Sequence, residues 1–129
     1  MNLVLVFVGG GLGAVARYLG GVGFVRAFGP TQPYIATALI NVLGGFLMGA
    51  LVSWMALRGA PTGGGERWRL LLGVGVLGGF TTFSSFSLEA VSMLQRKAYG
   101  VAAVYVGGSV VLSILGLMLG LVLMRRMLA

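Results

Sequence analysis

A short stretch of the chain concentrates side chains that can contact a small ion. Between Thr81 and Ser87, five of seven residues carry a hydroxyl. One or two hydroxyls in a helix often bond back to the preceding turn, but five so close together predict the lining of a cavity. Phe83 and Phe86 lie three positions apart and therefore near one helical face. Their electropositive ring edges can approach an anion without binding it as tightly as a full charge would.

The glycine pair Gly78-Gly79 precedes these hydroxyls and predicts a break in the helix. A broken helix at membrane depth is tolerated where protein or a water-filled cavity receives the freed backbone groups. The freed carbonyls suit a small hard cation, whereas the N-terminus of the restarting helix favours an anion. The stretch therefore predicts anion conduction. The alternative is a kinked packing helix with back-bonded hydroxyls and core phenylalanines.

Polar residues in two further segments can extend such a path. Asn41 lies inside an apolar segment, where its amide needs a partner, either a neighbouring helix or an anion that it strips of water. Tyr105, Ser109 and Ser113 recur every four residues and share one helical face. They form either a polar track beside the phenylalanines or ordinary hydrogen-bonding contacts between helices.

Two charged residues lie near the apolar segments. Arg17 either extends its guanidinium to the nearer membrane surface or forms an electropositive vestibule that concentrates anions. Glu89 follows Thr82 by seven residues and so lies on a similar face. It is a solubilising residue at a helix end, a salt-bridge partner, or the proton-coupled site of a transporter.

The elements that position these residues must be membrane helices. Of 129 residues, 58% are hydrophobic, 24 are glycine and only 9% are charged, against about 25% in soluble proteins. The absence of cysteine and histidine excludes disulfide frameworks and the usual zinc and haem ligands. Only two acidic residues are present, which argues against an enzyme. The nine cations are scattered between apolar stretches, which argues against nucleic acid as a partner.

Four apolar segments are long enough to span a bilayer, which needs roughly 20 residues each. They predict a single all-α, four-helix membrane domain over residues 1–129, with helices at about 3–26, 33–57, 68–96 and 98–124, the third broken at Gly78-Gly79. The segment Arg58–Trp68 is predicted to be a flexible, hydrophilic loop.

The cations are almost equally divided between the two ends of these helices. Arg58, Arg67, Arg69, Arg125 and Arg126 fall on the side of both termini, and Arg17, Arg26, Arg96 and Lys97 fall on the other. Orientation follows the imbalance of Lys and Arg between short loops, and five against four is a weak bias. This balance permits insertion in either direction and leads to the hypothesis of a dual-topology, antiparallel homodimer with its two-fold axis in the membrane plane.

Taken together, these residues resemble the Fluc/CrcB family of fluoride channels over essentially the whole chain. The resemblance rests on three blocks and on the polar face of the fourth helix: Gly9–Tyr18, Asn41–Phe46, Gly78–Glu89, Tyr105, Ser109 and Ser113. The third block is highly specific. Two departures are small, since Phe80 stands where leucine is common and Ser85 where threonine is common.

The resemblance implies a passive fluoride channel in the plasma membrane of a prokaryote, the inner membrane where there are two. It implies a dual-topology homodimer with two fluoride pathways, and a central sodium ion held by the backbone carbonyls of Gly78 and Thr81. Phe83 and Phe86 are implied as the aromatic fluoride sites, Asn41 as a donor to fluoride, and Arg17 as the arginine at the mouth of the pore. The implied polar track consists of Thr82, Ser85, Tyr105, Ser109 and Ser113.

The alternative function is a small four-helix, proton-coupled exporter that uses Glu89. Such an exporter needs an essential carboxylate at mid-membrane, whereas a passive channel needs a desolvating polar path. Glu89 follows the hydroxyl-rich stretch towards the end of its helix, which favours the channel. A scaffold protein is a third possibility, in which the hydroxyls only join helices.

Overall fold

The computed structural model describes residues 1–58 and 64–129 of the chain. Over these residues it contains four helical spans that are long and apolar enough to cross a membrane: α1 (Asn2–Phe28), α2 (Pro33–Arg58), a third span over Gly65–Gln95, and a last helix over Tyr99–Leu128. The predicted helices fall on these spans, with ends that differ by at most four residues. Residues 59–63 of the predicted loop lie outside the described residues, and its last four residues, Gly65–Trp68, are helical instead.

Local backbone preferences explain where α1 ends and where α2 begins. Gly29 ends α1 with a φ of 87°, in the region that favours glycine, and its N–H donates to the Val25 carbonyl at 2.8 Å. Pro33 begins α2, at the position where the N–H that proline lacks would have no helical partner.

The number of spans places both termini on one side, because four successive crossings of a membrane return the chain to the side where it started.

The third span consists of four pieces. It begins with α3 (Gly65–Trp68), continues as a π-helical segment (Arg69–Leu77) and a last short turn α4 (Gly78–Phe80), and resumes as α5 (Phe83–Gln95). The final helix, Tyr99–Leu128, is α6. The interruption between α4 and α5 confirms that the third span is not one continuous helix.

The position of the break differs from the predicted one at Gly78-Gly79. Gly78 retains helical angles (φ −64°, ψ −37°), and the backbone becomes extended only at Thr81 (φ −77°, ψ 157°) and Thr82 (φ −149°, ψ 118°). Gly79 serves close packing instead, because a Cβ there would overlap the Gly10 carbonyl oxygen of α1. The helix therefore continues through both glycines, and the Thr82 N–H beyond its end donates to the side chain of Asn41.

Glycines join the helices into two tightly packed pairs. In the first pair, α1 packs on the π-helical segment and α4, and a Cβ at Gly13 would overlap the Val76 carbonyl oxygen. In the second pair, α2 packs on α6, and a Cβ at Gly49 would overlap the Leu117 carbonyl oxygen. Such backbone approach is the use that membrane helices make of small residues, and it fixes the frame in which the break lies.

Candidate functional site at the break in the third span

Thr82 caps the helix that restarts after the break. Its backbone is extended, and its Oγ1 accepts a hydrogen bond from the Ser85 N–H at 3.2 Å, as a threonine at an N-cap position does. The same Oγ1 lies 3.3 Å from the Ser84 hydroxyl and 3.2 Å from the Ser85 hydroxyl. The hydroxyl-rich stretch thus forms a small network around one buried residue.

Asn41 holds the backbone of Thr82 from the neighbouring helix α2. Its Nδ2 donates to the Thr82 carbonyl oxygen at 3.0 Å, and its Oδ1 accepts from the Thr82 N–H at 2.8 Å. One of the alternatives for this amide, a bond to a neighbouring segment, is therefore present. One hydrogen of the Nδ2 group is left for a second acceptor, because an amide nitrogen carries two.

A cavity of about 410 Å³ lies beside the break, and we call it the phenylalanine cavity. Its lining includes seven of the residues singled out from the sequence: Asn41, Thr81, Thr82, Phe83, Phe86, Ser109 and Ser113. Within the described part of the chain, the Ser109 hydroxyl oxygen is buried without a hydrogen-bond partner. A buried hydroxyl without a partner is costly, so this oxygen indicates a place for a polar ligand.

Aromatic rings continue from the phenylalanine cavity along α5 and α6. The Phe83 and Phe86 ring centroids are 5.5 Å apart, and those of Phe86 and Tyr105 are 5.3 Å apart. Phe86 is partly buried against Tyr105, whereas the Phe83 side chain is 78% exposed. One ring of the pair is therefore fixed by packing, and the other lies on the surface of the subunit.

A second cavity of about 690 Å³, which we call the arginine cavity, also reaches Thr82. Its polar lining consists of Arg17, Tyr18, Arg26, Thr37, Thr82, Ser85 and Glu89. The Glu89 carboxylate accepts hydrogen bonds from the Thr37 hydroxyl at 2.9 Å and from the Tyr105 hydroxyl. Thr82 lines both cavities, so a space without charged side chains among the described residues and a space that contains charges meet at the break.

The structure divides the predicted site residues into groups. Seven share the phenylalanine cavity, while Ser85 and Arg17 line the arginine cavity. Tyr105 does not extend the track of Ser109 and Ser113, because its hydroxyl donates to Glu89. Gly78 lines neither of the two cavities and is exposed on the surface of the subunit.

Sequence reasoning missed two residues that shape this region. Thr37 donates to Glu89, and its signal was a spacing of four residues from Asn41, which places both on one face of α2. Gly44 lets the break approach α2, since a Cβ there would overlap Cγ2 of Thr81. Nothing in the sequence distinguished Gly44 from the other glycines of α2.

Fold and site define a class of protein: a multi-pass, all-helical membrane protein whose third span is interrupted between two polar-lined cavities. A comparison with protein families narrows the class. Residues 4–121 match the family described as "CrcB-like protein, Camphor Resistance (CrcB)". The chain belongs to this family.

Curated relatives match the chain along nearly its whole length. A protein of Caulobacter vibrioides named "Fluoride-specific ion channel FluC" is 56% identical over 128 residues, which cover 99% of this chain and 98% of the relative. The protein of the same name from Phenylobacterium zucineum is 56% identical over 127 residues, covering 98% of each chain. That of Cereibacter sphaeroides is 49% identical over 128 residues, covering 99% of this chain and 98% of the relative. These relatives are bacterial proteins named as ion channels, not as enzymes.

Proposed function

We propose that this protein is a passive fluoride channel, through which fluoride leaves the cytoplasm. The observation that carries the proposal is the phenylalanine cavity, where amide, hydroxyl and ring-edge groups meet at a helix break. The relatives named as fluoride-specific ion channels support it. Hydrogen fluoride enters a cell as a neutral molecule and dissociates, so a passive anion path lets the membrane potential across the plasma membrane expel the ion.

The proposed fluoride pathway runs along the two cavities that meet at Thr82. The Arg17 guanidinium attracts the anion into a vestibule, and the anion then passes from hydroxyls to ring edges. Phe83 and Phe86 face it with their electropositive edges, and Asn41 donates its remaining amide hydrogen. The polar groups of the pathway are Asn41, Thr82, Ser85, Ser109 and Ser113, while the Tyr105 hydroxyl is bonded to Glu89. The unpartnered hydroxyl of Ser109, among the described residues, supports this assignment.

A sodium ion held by the carbonyls of Gly78 and Thr81 is part of the proposal. In a continuous helix these oxygens accept from the N–H groups four residues later, those of Thr82 and Ser85. Here the Thr82 N–H donates to Asn41 and the Ser85 N–H donates to the Thr82 hydroxyl. Both carbonyls have therefore lost their ordinary donors to side chains, and hard oxygen atoms of this kind fit a small cation. When bound, the ion supplies positive charge at mid-span.

The channel is proposed to be a homodimer of two subunits inserted in opposite directions. Gly78 and the Phe83 ring are exposed on the isolated subunit, and an interrupted backbone facing lipid would leave polar groups without partners. A second copy of the chain would cover both. The near balance of cations between the two membrane faces supports the antiparallel arrangement.

Reconstituted protein tests the proposed function. Vesicles loaded with sodium fluoride and given a cation ionophore, so that cations leave with the anion, should release fluoride, measured with a fluoride electrode, far faster than vesicles without protein, and the release should depend on sodium. A proton gradient alone should not drive uptake, because Glu89 is held by two hydroxyls at the wall of the arginine cavity rather than between the rings. Release that matches protein-free vesicles would contradict the channel. Uptake driven by protons and abolished by Glu89→Gln would favour the exporter instead.

Topology is tested separately with reporters fused to the C-terminus. The antiparallel dimer predicts that copies of the same chain carry the reporter on both sides of the membrane in similar numbers. Reporters found on one side alone would contradict the arrangement without affecting the fluoride measurement.

A further inference from the structure

The amide of Asn41 reproduces the hydrogen bonds of a peptide group. Its Nδ2 donates to the Thr82 carbonyl and its Oδ1 accepts from the Thr82 N–H, at 3.0 and 2.8 Å. Both main-chain groups of one residue are thus bound by one side chain. This two-point contact fixes the position and orientation of the Thr82 backbone, which a single hydrogen bond would not do.

The contact also competes with the helix for the Thr82 N–H. In a continuous helix this N–H would donate to the Gly78 carbonyl, whereas the last helical bond before the break is from the Thr81 N–H to the Leu77 carbonyl at 3.0 Å. The Thr81 hydroxyl donates to the same Leu77 oxygen at 2.9 Å. The helix therefore ends one residue before the position that Asn41 binds.

The frame of α2 brings Asn41 to this position. Gly44, one turn further along α2, lies so close to Thr81 that a Cβ would overlap its Cγ2. On the adjacent side, a Cβ at Gly45 would lie 2.8 Å from the Ser113 carbonyl oxygen of α6. Since α2 is held between α6 and the break, the amide has little freedom to move away from Thr82.

We propose that Asn41 is a positioning residue that keeps the third span open at Thr82. This role is additional to the donation to fluoride, for which the second Nδ2 hydrogen remains. Only the effect of Asn41 on ion flux rests on the proposed channel. The effect of Asn41 on the Thr82 backbone is measured without fluoride.

The experiment follows the Thr82 amide by NMR in detergent-solubilised protein labelled with ¹⁵N-threonine. The chain has five threonines, so the spectrum is simple. Asn41→Leu keeps a similar size and removes both hydrogen bonds, whereas Asn41→Asp keeps an acceptor for the Thr82 N–H. Ser53→Ala is the matched control, because Ser53 also bonds from α2 to a main-chain carbonyl, that of Leu121, away from the break.

We expect the Thr82 resonance to move in Asn41→Leu and its hydrogen exchange to become about tenfold faster or more. Asn41→Asp should retain much of the protection, and Ser53→Ala should leave the resonance in place. Slower exchange of the Thr82 amide would also support the proposal, since its N–H would then donate to the Gly78 carbonyl in a closed helix. The resonances of Thr31 and Thr37 report whether each variant remains folded.

A Thr82 resonance and exchange rate unchanged in Asn41→Leu would overturn the positioning role. If fluoride release is then also lost, Asn41 acts as an anion contact alone. If the wild-type protein releases no fluoride, the proposed function fails, but the effect of Asn41 on Thr82 is decided by the same spectra.

Discussion

The two halves of the third span are built in opposite ways. Up to Phe80 the span packs on α1 through glycines, so closely that backbone touches backbone and an added methyl group has no room. From Thr82 onwards it is held by side-chain hydrogen bonds and bordered by cavities. Close packing in one half allows the other half to remain open, because the glycine contacts hold the frame that the hydrogen bonds require.

Breaking the glycine contacts is expected to have the largest effect. Gly49→Ala places a Cβ on the Leu117 carbonyl oxygen, a main-chain atom that moves only with its helix. Overpacking of this kind costs about 1–3 kcal/mol or more, so a large fall in melting temperature and loss of the size-exclusion peak of the proposed dimer are expected. Gly107→Ala, which meets open space on α6, is the control. Equal melting temperatures would show that α2 and α6 are not held by this contact.

Changing the rings is expected to stop flux without unfolding the protein. Phe83→Ile and Phe86→Ile remove the electropositive ring edges from the phenylalanine cavity. Fluoride release from vesicles should be abolished in both variants while the proposed dimer still assembles. Phe83→Ile is the cleaner test, since its exposed side chain contributes little to the packing of the subunit. Unchanged release in both variants would remove the aromatic edges from the mechanism.

Removing the Tyr105 hydroxyl, which donates to the Glu89 carboxylate, is expected to have an intermediate effect on stability. Tyr105→Phe keeps the ring contact with Phe86 but leaves the carboxylate with the Thr37 hydroxyl alone. A hydrogen bond to a charged group is worth about 1.5–3 kcal/mol, so the free energy of unfolding should fall by about that amount. Tyr99→Phe changes an exposed tyrosine on the same helix and should have no effect. If both variants are equally stable, the Tyr105–Glu89 bond does not stabilise the fold.

The smallest expected effect is that of Ser53→Ala. The fully buried Ser53 hydroxyl donates to the Leu121 carbonyl at 2.9 Å, within the α2–α6 pair. Its loss should lower the free energy of unfolding by about 1 kcal/mol and leave fluoride release unchanged. A marked loss of release would connect the helix pair to the pathway more directly than the structure indicates.

The sequence predicted the four spans and the family, because apolar length and the block Gly78–Glu89 are local signals. It did not predict where the third span breaks. Gly78 and Gly79 have the composition of a break, but Gly79 is fixed against α1 and the interruption falls at Thr82. In our proposal the position of the break depends on Asn41, which lies 41 positions earlier in the chain and which only the tertiary structure brings to Thr82.

The polar residues show the same limit. Periodicity placed Ser109 and Ser113 on one face of α6, and both residues line the phenylalanine cavity. It could not show that the Tyr105 hydroxyl, on the same face, bonds to Glu89 instead. The spacing of residues along a helix predicts which face a side chain occupies. Its hydrogen-bond partner depends on the distance to the neighbouring helix.

The break and its rings are proposed to form a fluoride pathway within a frame held by glycines. Fluoride release from sodium fluoride vesicles, compared among wild type, Phe83→Ile and Gly107→Ala, tests this pathway most directly. Rapid release is expected for wild type and Gly107→Ala, and none above protein-free vesicles for Phe83→Ile. No release from the wild type, or equal release from all three proteins, would contradict the pathway.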